Sequence, residues 1–139
     1  MVLVNWNVSL SVGVSEVDQQ HRKLISIINM LDDAARAGKG SEVISEILDR
    51  LIIYTATHFK TEEKYFDEFE YAEADEHKEE HATFIERVAK YSADLNSGSE
   101  AGRRAVAEEL MSFLELWWKY HILETDMKYA KLFREKGLK

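Results

Sequence analysis

No proline occurs anywhere in the 139 residues, and apolar residues recur at alternating spacings of three and four in four separate tracts. With no residue to remove a backbone donor or force a kink, each tract can run as an uninterrupted helix with one apolar face. The first stripe is Val17, His21, Leu24, Ile28, Leu31 and Ala35. It opens near Ser15, where Ser15 with Asp18 is expected to act as a capping box. The second is Ile44, Leu48, Leu51, Thr55, His58, Glu62, Tyr65 and Phe69. After a break at Tyr71-Ala-Glu-Ala, with Asp75 as the expected N-cap, the third reads His77, His81, Phe84, Val88, Tyr91 and Leu95. The fourth is Val106, Leu110, Phe113, Trp117 and His121.

Four amphipathic helices joined by short loops can bury four stripes only against one another, which predicts an all-α, up-down-up-down antiparallel four-helix bundle. Glycines at 13, 38, 40, 98, 102 and 137 fall mostly where the chain must turn. The expected organisation is one domain over residues 1–139, with an N-terminal arm over about 1–14 and helices over about 16–37, 41–66, 75–96 and 100–134. Val2, Leu3, Val4 and Trp6 of the arm are too few for a fifth helix and are expected to pack across the bundle.

Composition narrows the function classes. A hydrophobic share of 45% is too high for a disordered chain. The formal charge of −8, with basic residues dispersed, disfavours nucleic acid and anionic membranes as partners. The N-terminus lacks the pattern of a signal peptide, and no apolar run approaches a membrane span, so the expectation is a cytoplasmic chain without membrane insertion. Zero cysteine excludes disulfides, thiolate metal sites and cysteine nucleophiles together. No G-x-S-x-G elbow or glycine-rich phosphate loop is present either.

The histidines carry the most information, because all five (His21, His58, His77, His81 and His121) fall on apolar stripes. Taken singly, each reads as a buried structural histidine. Together they bring at least one metal-type donor from every helix to a common interior, where five imidazoles without a cation would be costly. Residues four apart share a helix face, so His77 and His81 can reach one ion, and Glu62 can join His58. With Glu62 and Asp126 the set has seven donors, too many for one tetrahedral zinc but suited to two six-coordinate first-row ions that share the carboxylates. Iron is the first choice for imidazole and carboxylate donors with an open position. The Glu-x-x-His pattern of ferritin-like oxidases precedes none of the five histidines. His121 and Asp126 are five apart, about 140° around a regular helix, so a local irregularity such as a π-bulge is expected there.

These residues resemble the hemerythrin family, in particular the bacterial single-domain bacteriohemerythrins, from Trp6 to Tyr129. The motifs are Trp6, Gly13-Val14, Asp18-Gln19-Gln20-His21, His58-Phe59-Lys60-Thr61-Glu62-Glu63, His77-Lys78-Glu79-Glu80-His81, and Trp117-Trp118-Lys119-Tyr120-His121-Ile122 followed by Asp126. The resemblance implies two non-heme iron ions per chain. His77, His81 and His121 would hold one and His21 and His58 the other, with Glu62, Asp126 and an oxo or hydroxo group bridging them. It further implies reversible O2 binding at the open position of the two-histidine iron, for carriage, storage, delivery or sensing. Leu24, Phe59, Trp117, Trp118 and Ile122 are the pocket candidates by motif position, and Tyr129 is expected to support Asp126 or pack beside the cluster. The family usually has Leu at the position of Trp118, where an indole would narrow the cavity, and many members have Pro at the position of Ala72. Two other functions fit the same residues: a di-iron redox enzyme acting on peroxide, nitric oxide or oxygen, and a metal-free helical interaction module. A protein donor or recipient is not specified by the sequence.

Overall fold

The computed structural model describes residues 4–139, so Val2 and Leu3 of the expected arm lie outside the described residues. Four long helices form the bundle: α1 (Ser15–Arg36), α2 (Ser41–Phe69), α3 (Ala74–Leu95) and α4 (Glu100–Tyr120). The fourth continues through a π-helical segment, His121–Asp126, into α5 (Met127–Glu135). Consecutive helices pack on one another, and α4 closes more lightly against α1.

The arm docks on α1 through both backbone and side chains. Val4 is buried, its N–H donates to Asn29 Oδ1 at 3.0 Å, and Asn29 Nδ2 donates back to Val4 O at 2.9 Å. Trp6 is half-buried beneath the Arg22 guanidinium, 4.9 Å from the ring centroid. A 3-10 turn at Val8–Leu10 then buries Leu10.

The two expected caps are not formed. Val14 is the N-cap of α1 and offers no acceptor, while Ser15 is already helical. Asp18 instead reaches back to the arm, where its carboxylate accepts from Val12 N at 2.9 Å and from Ser11 Oγ. The positive end of the helix dipole favours the charge in this first turn. At α3 the N-cap is Glu73, again without a side-chain bond, and Asp75 lies inside the first turn. Glu70 adopts a left-handed conformation (φ 53) at the end of α2, and Tyr71 N–H donates to Phe66 O at 3.0 Å, which closes the helix.

The buried face of α4 is rotated from the expected one. Ala107, Leu110, Met111, Leu114 and Trp118 are buried, whereas Val106, Phe113 and Trp117 are half-buried on the flank toward α3, where Phe84 packs on Phe113 and Trp117. Both sets keep the same spacing and differ by one residue, about 100° around the helix, so periodicity alone does not choose between them. Similarly, Ala34 and Phe66 take buried places that the spacing gave to Ala35, Tyr65 and Phe69, which are half-buried.

The apolar interior forms two separate cores. The larger contains Leu24, Ile28, Leu51, Phe59, Phe84, Leu114, Trp118 and Ile122 among others. The smaller contains Val12, Val14, Val17, Phe66, Tyr129, Ala130 and Phe133. On α1 His21 falls between Val17 of the smaller core and Leu24 of the larger. On α2 Glu62 falls between Phe59 and Phe66, and beyond α4 Asp126 falls between Ile122 and Tyr129. A polar layer is thus sealed from both ends.

The arm completes the smaller core through a close approach at Gly13. Its φ of +76 is left-handed, and a Cβ there would meet Arg134 Cδ at 2.9 Å. Arg134 Nη1 in turn donates to Val12 O at 2.9 Å. Replacing Asp18 with Ala removes both bonds that tie this stretch to α1 and is predicted to lower stability by about 1–3 kcal/mol. The check is the urea midpoint at constant m, and an unchanged midpoint would show that the arm does not depend on Asp18.

Candidate metal centre

Each helix brings its donors to the layer between the two cores: His21 from α1, His58 and Glu62 from α2, His77 and His81 from α3, His121 and Asp126 from the π-helical segment. All seven are at most 2% exposed. The π-helical segment is what allows the last pair. Its i→i+5 pattern brings residues five apart nearly into line, and His121 Nε2 lies 3.0 Å from Asp126 Oδ1.

The donors form two groups that share carboxylates. His77, His81 and His121 gather with Glu62, and His21 and His58 gather with Glu62 and Asp126, each set having donor atoms within 4.8 Å of one another. Glu62 Oε1 is 3.1 Å from His58 Nε2 and 3.3 Å from His81 Nε2, one from each group. The two oxygens of Asp126 are likewise divided. Oδ1 lies 3.1 Å from His77 Nε2, and Oδ2 lies 2.9 Å from His21 Nε2. All five imidazoles present Nε2 to the interior.

His77 Nε2 and His121 Nε2 pair with each other at 3.2 Å, but most of these atoms are not satisfied by their neighbours. Among the described residues, His21 Nε2, His58 Nε2, His81 Nε2 and both oxygens of Glu62 and of Asp126 lack a hydrogen bond of acceptable geometry. Buried polar atoms left in this state are costly. A cation held within each group of donors would satisfy them. A nitrogen- and oxygen-rich set of this kind fits first-row metal ions.

Three imidazoles are also held from outside. His58 Nδ1 is 2.6 Å from Gln20 Oε1, His81 Nδ1 is 2.8 Å from Glu63 Oε2, and His121 Nδ1 is 3.3 Å from Glu80 Oε1. Thr125 Oγ1 donates to Glu80 Oε1 at 3.2 Å. The stripes do not reveal these partners, because Gln20, Glu63 and Glu80 lie off the buried faces. The available signal is adjacency, since each is the immediate neighbour of a candidate ligand.

Aromatic rings wall the two groups differently. Phe59 stacks on His81 (centroids 3.7 Å, planes 6° apart) and Trp117 on His121 (4.2 Å, 12°), so both lie against the three-imidazole group. Trp118 is fully buried between the groups, with its ring centroid 6.0 Å from His121, 6.3 Å from His58 and 6.4 Å from His21. Its indole N–H has no partner among the described residues. Leu24 and Ile122 are buried in the larger core alongside it.

A family model described as the hemerythrin HHE cation binding domain matches residues 12–133. The chain belongs to the hemerythrin family. Bacteriohemerythrin of Stenotrophomonas maltophilia is 33% identical over 130 residues, which is 94% of this chain and 81% of that protein. Bacteriohemerythrin of Methylococcus capsulatus is 33% identical over 131 residues, 94% of this chain and 96% of the relative. The crystal structure of wild-type hemerythrin aligns with a TM-score of 0.82 at 29% identity, covering 93% of this chain and 96% of the other. Among the described residues no helix of this hemerythrin-like chain is long and apolar enough to cross a membrane.

Without a cation, protons must balance the charge of the layer. Burial opposes the charged form of Asp126, yet His121 and the other imidazoles hold it well below the usual carboxylate range. Glu62 is likewise lowered: burial and Asp126 oppose its charge, and His58 outweighs them. Burial would lower His121, but Asp126 and Glu80 outweigh it and raise the group to about 10. Burial lowers His58 despite Glu62. The Tyr129 hydroxyl is buried near Glu62 and Asp126 without a hydrogen bond of acceptable geometry among the described residues, and burial, followed by Asp126 and Glu62, keeps its phenol protonated.

A pKa raised on folding adds stability below the unfolded value and loses it as pH rises through the folded one. For His121 that window runs from 6.5 to about 10. The two lowered carboxylates act oppositely, since their contribution is present above their unfolded values and is lost only in strong acid. Chelator-stripped protein is therefore predicted to lose Tm across pH 6.5 to about 10, whereas metal-loaded protein, in which the ion takes the place of the proton on His121 Nε2, keeps it. Thermal melts of both forms check this, and parallel pH profiles would count against a metal replacing that proton.

Proposed function

We propose that this hemerythrin-like chain binds O2 reversibly at two non-heme iron ions, for carriage, storage, delivery or sensing. The observation that carries the reading is the unequal division of a buried donor set, three imidazoles against two, with both carboxylates between them. His77, His81 and His121 would hold one ion and His21 and His58 the other. Glu62, Asp126 and an oxo or hydroxo group would bridge the pair, leaving the two-imidazole ion one donor short. Bound there, a ferrous pair supplies the two electrons that reversible O2 binding draws upon.

The residues of the chain then have separate tasks. The imidazoles and carboxylates hold the ions with no mobile ligand. Trp118, Leu24 and Ile122 exclude water from the two-imidazole side, where entering water or anions would promote irreversible oxidation. Trp118, fully buried beside these imidazoles, would limit the rate at which a ligand exchanges. Phe59 and Trp117 fix the planes of His81 and His121 by stacking and so act on the other ion.

Aerobic absorption spectroscopy with iron quantification tests the reading. Two irons per chain and a visible charge-transfer band that vanishes on removing O2 and returns with it are expected. Fewer irons, or a band indifferent to O2, would overturn it. Replacing Trp118 with Leu is predicted to speed O2 release and autoxidation by about tenfold, equivalent to ~1.4 kcal/mol in barrier. Stopped-flow traces identical to those of the parent protein would remove Trp118 from the pocket.

A further inference from the structure

The three outer contacts on the imidazoles follow a rule of handing on. Gln20, next to His21 on α1, holds His58 of α2. Glu63, next to Glu62 on α2, holds His81 of α3. Glu80, next to His81 on α3, holds His121 of the π-helical segment. Neighbouring residues on a helix point about 100° apart, so when a ligand faces the bundle axis its neighbour lies at the seam with the next helix. Each of α1, α2 and α3 therefore sets a neighbour of one of its inward ligands at the back of the following segment's histidine.

The clasps differ in charge. Both contacts on the three-imidazole group come from carboxylates, while the contact on the two-imidazole group comes from an amide. Gln20 is held in that role because its Nε2 donates to Thr61 Oγ1 at 3.2 Å, which leaves Oε1 to accept from His58 Nδ1. Nδ1 of His21 and of His77 has no partner among the described residues. A carboxylate behind an imidazole fixes Nε2 as the free donor and strengthens it, whereas an amide fixes the tautomer without adding charge. Glu63 and Glu80 are 32% and 39% exposed at the side chain, so they keep part of their hydration and avoid the cost of a buried anion. Thr125 holds Glu80 in place from the same π-helical segment that carries His121.

We propose that Glu63 and Glu80 are positioning residues that make the His77, His81 and His121 position the stronger and first-filled of the two, while Gln20 keeps the His21 and His58 position weaker. This rests on the metal-centre reading above. The polarity of the centre is then set by charges outside it, and the ion left one donor short is also the one without an anionic support.

The test is anaerobic titration of chelator-stripped protein with Co(II) alone, followed by its visible absorption, in the parent chain and in Glu63→Gln, Glu80→Gln and Gln20→Glu. Each replacement keeps the size and an acceptor oxygen, so a purely structural role would move neither step. In the parent, two ions are expected to bind in separate steps. Glu63→Gln and Glu80→Gln are each expected to weaken the first step by about 10–100-fold and to spare the second, while Gln20→Glu strengthens the second. Two steps unchanged in all variants, or both weakened alike, would overturn the inference alone. A parent protein that takes up no Co(II) would overturn the metal-centre reading and the inference with it.

Discussion

The structure depends on keeping seven ionisable donors in a dry layer only as wide as the bundle interior. Two carboxylates and five imidazoles without water are unfavourable unless opposite charge is placed among them, because solvation is lost and only geometry can compensate. That requirement fixes the height at which each helix presents its donors. It also explains why the apolar interior is divided into two cores: one above and one below are needed to keep the layer closed. The arm belongs to this closure. Val12 and Val14 finish the smaller core, and Asp18 and Arg134 hold that stretch from opposite sides.

The π-helical segment solves a local conflict. A regular helix would turn Asp126 away from the face that carries His121, and the ladder gives up its usual i→i+4 register for six residues to bring them together. Thr125 rides on the same distortion and reaches Glu80. One irregular turn thus sets an imidazole, a shared carboxylate and the anchor of an outer carboxylate. It also begins three residues after Trp118, and the adjacent rings of Trp117 and Trp118 both approach His121.

The two halves are unequal in their imidazoles and in the groups behind them. One has three imidazoles, two carboxylate clasps and two rings stacked on its ligands; the other has two imidazoles and an amide clasp. The proposed O2 binding would use such inequality, since one metal position would be saturated by the protein and the other left able to accept a ligand. An indole in place of the smaller aliphatic residue usual in the family leaves the donor set intact and changes the room beside it.

The helical class, most of the first three stripes and the burial of every histidine are legible in the sequence, because a 3.6-residue period and the absence of proline are local properties. The five-residue gap between His121 and Asp126 also foretold the irregular turn, since a regular helix cannot satisfy it. Other features were not legible. The Ser15 and Asp75 caps failed because an acceptor side chain has several donors within reach, and Asp18 found the docked arm instead. The buried face of α4 differs by one residue from the expected one because the same spacing suits Trp117 and Trp118 equally, and only packing against the other helices separates them. Gln20, Glu63 and Glu80 stand in the family motifs, but nothing in their spacing shows which imidazole each one meets. Sequence determined which donors each helix carries; tertiary structure decided which of them share a carboxylate and which imidazoles gain a charge behind them. Those choices depend on contacts between helices, which act across the bundle rather than along the chain.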